Sequence, residues 1–304
     1  MTYASIKHEL DQGSTVILDG AMGTELSVRE GPLAWGIWGC AANVETPDLV
    51  RAIHLDYIEA GADVITTNTF DGTRANLALG GLAERTPEIN RAAVRLAKEA
   101  VERSGAGRSI AIAGSLSPVS SGAQASLTLA AAAEAYREQA SLLAEAGVDL
   151  IALEMLQDHE HAPLAIEAAT ATGLPVWLGL SCALAEGGGG PVLKRAGGAA
   201  GLAQSLDLLL AIPGIDAVTI MHTHVDDTGP ALDVLGGRWG GPTGAYPHFG
   251  RFQEGGWSAS DVPSPATFVQ MAAAWHGQGA RIIGSCCGMG PAYTRALAAR
   301  FAGR

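Results

Sequence analysis

Two adjacent cysteines, Cys286 and Cys287, stand between glycines where the apolar run Ala280-Arg281-Ile282-Ile283 stops. Neighbouring thiols do not readily reach disulfide geometry with each other. Both can converge on one metal ion if the backbone turns sharply, and flanking glycines allow that turn. Zinc is the usual metal for thiolates plus a nitrogen or a third sulfur, with one position open in a catalytic site. Two other readings stand beside it: a pair of small buried residues ending a core strand, or a redox pair. A metal needs a third donor. His222 and His224 follow the run Ala217-Val218-Thr219-Ile220. Residues i and i+2 share a face only if the strand continues through both. His222 is the first candidate ligand, with His224 as a ligand or a support. His159 and His161, at a helix start, read as solvated.

Carboxylates come next. Asp19 and Glu154 each close an apolar run. They are the candidate catalytic acids, able to serve as a general base or to hold a substrate ammonium. The bland alternative is a structural ion pair or a helix cap. Asn68 and Thr69 offer amide and hydroxyl donors to a carboxylate. Trp35 and Trp38 lie in a long loop, and an indole face attracts methylated ammonium and sulfonium groups. They serve equally well as anchors of a lid.

These residues need elements to bring them together. Eight short apolar runs read as strands: 15–18, 64–68, 110–113, 150–153, 176–180, 217–220, a weak run at 241–245, and 281–284. Helices are expected from Thr46-Pro47 to Gly61, where Thr46 is the N-cap and Pro47 the first helical residue. Others are expected at 89–104, 127–146, 159–172, 202–212, 267–276 and 291–301. Residues 21–45 read as one long loop, and loops of that length tend to be functional. The strands are continuously apolar, as for strands buried on both faces. Eight such βα units predict an α/β fold, a single (β/α)₈ TIM barrel over residues 1–304, with an open doubly wound sheet as the alternative. No GxGxxG opens a helix after the first strand. In a barrel every strand ends at the same mouth. That rule gathers Asp19, Asn68, Ser115, Glu154, Ser181, His222, His224, Cys286 and Cys287.

Composition sets bounds. The chain has 304 residues, 48% hydrophobic and 16% charged, so a large core is available and global disorder is excluded. A net charge of −12 argues against a nucleic-acid backbone as partner. The 4 cysteines in so long a chain form no disulfide framework and fit a reducing, cytoplasmic setting. Neither a secretory h-region nor an apolar run long enough for a membrane span is present. A homo-oligomer is left open.

With these residues in place, the chain resembles the homocysteine S-methyltransferase family. The likeness runs from about Ile17 to Ala298. It rests on Ile17-Leu18-Asp19-Gly20-Ala21-Met22-Gly23-Thr24-Glu25-Leu26 and on His54-Leu55-Asp56-Tyr57-Ile58-Glu59-Ala60-Gly61-Ala62-Asp63-Val64-Ile65-Thr66-Thr67-Asn68-Thr69-Phe70. Gly114-Ser115-Leu116, Glu154 and Gly244-Ala245-Tyr246-Pro247 also match, and Gly284-Ser285-Cys286-Cys287-Gly288 is similar to the family's Gly-Gly-Cys-Cys-Gly signature. The resemblance implies a barrel whose three cysteines hold zinc, with homocysteine's sulfur in the open position. It implies that Cys286 and Cys287 are metal ligands. Asp19, Gly20, Asn68, Thr69 and Glu154 would then lie near the amino-acid substrate. It also implies a small thiol acceptor and a small sulfonium or quaternary ammonium methyl donor, for which Trp38 is the candidate contact on the chemistry of its indole face. The chain departs from the family pattern at two places. His222 stands where the first zinc cysteine is expected, and His248 where an asparagine follows Tyr-Pro. A Cys₂His site is sound for zinc but carries one less negative charge. That leaves a metal-dependent lyase, hydrolase or demethylase, or a binding relative without catalysis, as alternatives.

Overall fold

The computed structural model describes residues 2–31, 39–119, 127–195, 200–253, 256–258 and 262–303. Eight parallel strands form one sheet: β1 Val16–Ile17, β2 Val64–Thr66, β3 Ala111–Leu116, β4 Leu150–Leu156, β5 Val176–Leu180, β6 Ala217–His224, β7 Thr243–His248 and β8 Ala280–Ile283. Each pairs with its neighbours in sequence, and β8 pairs with β1. A bridge between Leu18 and Val64 joins β1 to β2 and closes the barrel. The TIM barrel read from the sequence is the fold observed.

Alternation along the strands builds two cores. Val16, Leu18, Val64, Ala111, Ala113, Leu150, Ala152, Trp177, Ala217, Met221, Tyr246 and Ile282 fill the barrel interior. Their neighbours Ile17, Ile65, Ile112, Ile151, Leu178, Val218 and Ile283 join the larger cluster under the helices. Three acids stitch adjacent strands at the lower end. Asp63 accepts from Ile17 N, Asp149 from Ile112 N and Asp216 from Val176 N. A helix over Thr2–Asp11, not foreseen, contributes Ile6 and Leu10 to the interior core, and Trp177 donates to Tyr3 Oη.

The helices Pro47–Ala60, Thr86–Ser104, Leu129–Ala146, His161–Thr170, Leu202–Leu209, Pro265–Gly277 and Pro291–Phe301 cover the outside, close to the expected bounds. Four readings need correction. Residues 21–45 are not a continuous loop, because Met22–Glu30 and Ala42–Glu45 are helical. Their small residues and glycines hide any apolar stripe. The helix Val225–Gly236 escaped notice because Gly229 and Pro230 interrupt its pattern. Thr46 occupies the N-cap position but makes no side-chain cap, its hydroxyl bonding Glu30 instead. Strands β3, β4, β6 and β7 each run three or four residues past their expected ends. Most of those extra residues are polar or lie at a register shift, which an apolar pattern does not register.

Two packing features carry predictions. A methyl group on Gly179 of β5 would meet Leu153 O at 2.5 Å and both Met221 Cγ and the Tyr246 hydroxyl at 2.9 Å. Gly179→Ala is expected to cost about 1–3 kcal/mol, measured by urea unfolding, since overpacking forces backbone and ring to shift. His54 lies fully buried in Pro47–Ala60, and neither ring nitrogen has a hydrogen-bond partner among the described residues. Burial lowers its pKa to about 4. The imidazole is therefore neutral in the fold, while the unfolded chain protonates it near its ordinary value. Its stabilising contribution is complete above about pH 6.5 and is lost as pH falls toward 4. Between pH 7 and pH 4 the wild-type protein should lose about 3 kcal/mol more stability than a His54→Leu variant. Denaturant titrations at the two pH values check this.

Candidate active site

The strand ends open into a cavity of about 1170 Å³. Asp19, Gly20, Asn68, Ser115, Glu154, Lys194, His222, His224, Cys286 and Cys287 are among the residues that line it. The local backbone explains the convergence. The β6–β7 register shifts between Met221 and His224, and His222 sits there with φ of 41°. A non-glycine residue in the left-handed region is uncommon and clusters at functional sites. The His222 carbonyl is held by Ser181 Oγ at 2.8 Å and by Lys194 Nζ at 3.0 Å. A second shift, in β4–β5 between Leu153 and Leu156, contains Met155 with φ of 60°, directly after Glu154. Such bulges re-aim side chains at strand ends. Beyond β8, Gly288 has φ of 86° and turns the cysteine loop back toward the barrel.

His222, Cys286 and Cys287 come together, all half-buried, with their donor atoms within 4.8 Å of one another. His222 Nδ1 lies 3.6 Å from Cys286 Sγ and 3.8 Å from Cys287 Sγ. The two sulfurs are 3.8 Å apart, far beyond a disulfide bond, and both cysteines are free. Cys286 is pushed up by its hydrogen bond with Cys287 and by burial. Cys287 is lowered, first by that same bond. His224 is not in this group. Its Nδ1 accepts from Asp226 N at 3.4 Å and caps the following helix.

Asp19 and Glu154 are buried acids. Asp19 accepts from Thr66 N at 2.7 Å and from the Thr66 hydroxyl at 2.8 Å. Burial nevertheless raises its pKa to about 8, and Glu154 adds to the rise. Burial also raises Glu154, against hydrogen bonds from Ser115 and Tyr246. Neither acid forms an ion pair among the described residues. Gly20 is required where it stands. A methyl there would lie 2.9 Å from each of Met289 O, Ser285 Oγ and Tyr57 Oη, so only glycine lets the cysteine loop rest on this turn.

Other expectations fare differently. Asn68 lines the cavity, but its amide protons go to Gly39 O and Asn43 Oδ1. Thr69 is fully buried, outside the cavity lining, and its hydroxyl bonds Ser115 O and Thr67 Oγ1. Both residues buttress the wall in the arrangement seen here. His161 is buried rather than solvated, with Nδ1 2.9 Å from Tyr136 Oη, and His159 bonds Ser205. Trp35 and Trp38 lie outside the described residues. Sequence reasoning missed Lys194 because it follows a glycine-rich stretch that reads as an uninformative loop. It missed Thr66 as the clamp on Asp19, although the polar end of β2 was a signal.

A family model described as homocysteine S-methyltransferase matches residues 16–301. The chain belongs to the homocysteine S-methyltransferase family. A homocysteine S-methyltransferase from Escherichia coli K12 is 30% identical over 311 residues, covering 96% of both chains. A selenocysteine methyltransferase from Astragalus bisulcatus is 25% identical over 94% of this chain and 92% of its own. The crystal structure of the Escherichia coli homocysteine methyltransferase MmuM in its metallated form superposes with a TM-score of 0.80 at 29% identity, covering 97% of this chain and 99% of that one. Its apo form gives 0.72 at 27% identity, covering 96% and 97%. The protein is thus a methyltransferase of this family. The metallated relative and the donor cluster in this chain are together consistent with a metal cofactor. Among the described residues no helix is long and apolar enough to cross a membrane.

Proposed function

We propose that residues 1–304 act as one barrel domain that moves a methyl group from a small sulfonium or quaternary ammonium donor to the thiol of homocysteine. In this reading His222, Cys286 and Cys287 hold zinc. The observation that carries it is the spacing of the three donor atoms. A tetrahedral zinc with ordinary bond lengths separates two sulfurs by about 3.8 Å and sulfur from nitrogen by about 3.6 Å. The separations in the structure are 3.8 Å between the sulfurs, and 3.6 and 3.8 Å from sulfur to nitrogen. The donor set also suits the metal, since soft thiolates with an imidazole select zinc over hard cations.

Bound zinc would supply one thing: a lowered thiol pKa, so that the nucleophilic thiolate exists at neutral pH. The remaining work falls to the chain. Asp19 and Glu154 receive the acceptor's ammonium group, which offsets the cost of their own burial. Ser115 and Tyr246 fix the Glu154 carboxylate, and Thr66 fixes that of Asp19. Anchoring the amino-acid end orients the sulfur toward the cysteine loop. The acceptor thiolate then forms a bond to the donor's methyl carbon as the donor's carbon–sulfur or carbon–nitrogen bond breaks. That electron pair leaves with the donor, which departs as a neutral sulfide or amine. The barrel mouth holds the two reactants aligned, and Trp38 is kept as a candidate contact for the donor's onium group on the chemistry of its indole face alone.

The test uses reduced protein supplied with zinc, homocysteine and, in separate reactions, S-methylmethionine or betaine. Methionine formation with one zinc per chain by plasma emission spectrometry is the expected result. Absence of transition metal together with absence of methyl transfer would remove the reading.

A further inference from the structure

We propose that His248 is a positioning residue for the metal centre: its ring packs against the His222 imidazole and, tied by Lys194, keeps that imidazole aimed at the two thiols. This rests on the zinc reading above. The backbone shows why a support is needed. Met221 pairs with Tyr246 and His224 with His248, so two residues of β6, His222 and Thr223, stand against Pro247 alone. Pro247 has no N–H to give to the bulge. His222 takes up the extra length at φ of 41°. A non-glycine residue keeps that conformation only where its surroundings over-determine it. Ser181 Oγ and Lys194 Nζ hold its carbonyl, at 2.8 and 3.0 Å. Those bonds fix the peptide but leave the side chain to turn about its own bonds.

His248 supplies what those bonds cannot. It is 5% exposed, and its ring lies 4.4 Å from that of His222 at an angle of 34°. His224, its partner in the ladder, meets the same ring edge-on at 6.1 Å. Lys194 ties ring to backbone. An ammonium has three donors and no acceptor, so one group serves both His222 O and, at 3.2 Å, the lone pair of His248 Nε2. Lys194 is itself pinned. It follows the antiparallel pair Cys182–Leu184 and Pro191–Leu193, and its backbone N–H donates to Ser181 O at 3.0 Å. The same end of β7 also reaches the thiols, because Pro247 O accepts from Cys286 N at 3.0 Å. In the sheet β7 lies between β6 and β8. Pro247 and His248 therefore set the imidazole and the cysteine loop against one another, as outer partners of metal ligands do. Positions 222 and 248, where the chain departs from the pattern of its family, are in ring contact. A thiol at 222 would have no ring to steer, so the two departures belong together.

The experiment measures the zinc affinity of the reduced full chain, by competition with a chromophoric chelator, in a cycle over the two positions. His248→Asn should weaken zinc binding by about tenfold or more when residue 222 is histidine, the scale on which an outer partner of a ligand acts. In the His222→Cys background the same change should alter zinc affinity by less than about twofold, as for uncoupled sites. His248→Phe, which keeps a ring in place, should recover most of the loss. His248→Leu, which fills the volume without a flat ring, should behave like His248→Asn and guards against one variant failing to fold. Equal losses in both backgrounds would overturn the inference, since they would mark His248 as a support of the fold alone. So would unchanged affinity in His248→Asn and His248→Leu, or no recovery in His248→Phe. None of these results touches the parent reading, in which wild type binds one zinc per chain. Wild-type protein that takes up no zinc would overturn that reading and this inference together.

Discussion

Replacing Cys287 by serine is expected to lower methyl transfer to homocysteine by more than about 100-fold. Losing a mere supporting contact of a metal ligand already costs 10–100-fold, and a ligand matters more. The variant should also purify with far less zinc than wild type under the same reducing conditions. His222→Ala should behave alike, because the imidazole supplies the third donor at 3.6 and 3.8 Å from the sulfurs. His222→Cys separates the role of ligand from that of mere filler. A thiolate there restores a third donor, so metal should be retained. The site then gains a negative charge, and the pKa of the acceptor's bound thiol should rise. Zinc content by plasma emission and the pH dependence of kcat/KM test the series. Full activity with full metal in Cys287→Ser would exclude the proposed centre.

Asp19→Asn carries the second large effect. A buried ammonium–carboxylate contact broken on one side costs about 3 kcal/mol, or on the order of 100-fold in kcat/KM for homocysteine. Thr66 can still satisfy the amide by reversing its hydroxyl, so the fold should survive. The pH signature is distinctive. With its pKa pushed up to about 8, Asp19 is mostly protonated in the free enzyme at pH 7. Ammonium binding needs the ionised form, so affinity for homocysteine should strengthen as pH rises from 6 toward 8. The variant should lack that rise. Stability runs the other way. A carboxyl with a raised folded pKa stabilises the fold below its unfolded value and loses that contribution as pH rises through about 8. The ligand-free Asp19→Asn protein should therefore outlast wild type in urea at pH 8. Calorimetric binding at pH 6 and 8, with matched unfolding curves, decides both.

The tension at Asp19 illustrates how this barrel is organised. Its lower end is stitched by Asp63, Asp149 and Asp216, whose carboxylates accept backbone N–H groups of neighbouring strands. Its upper end holds acids raised by burial, thiols without a disulfide between them, and two non-glycine residues at positive φ. Stability is concentrated at one face and reactivity at the other, as expected where catalytic residues come from strand ends.

Much of this was written in the chain itself. Continuous apolar runs must be buried on both faces, and eight of them alternating with helices leave few folds but a closed barrel. The Cys286-Cys287 doublet between glycines marked a candidate metal site, because adjacent thiols do not readily bond to each other. His222 was legible as its partner from its place after the sixth strand. Tertiary structure decided the rest. Whether His222 or His224 faces the sulfurs depends on a bulge and a φ of 41°, which no side-chain pattern encodes. That Asn68 and Thr69 spend their donors on the wall depends on partners such as Asn43 and Ser115, 25 and 46 residues away. Lys194 gained its meaning only when the barrel closed and brought its ammonium against His222 and His248. Local sequence sets what each segment can bury. Which polar groups are left over for a ligand is settled only after the distant segments have satisfied one another.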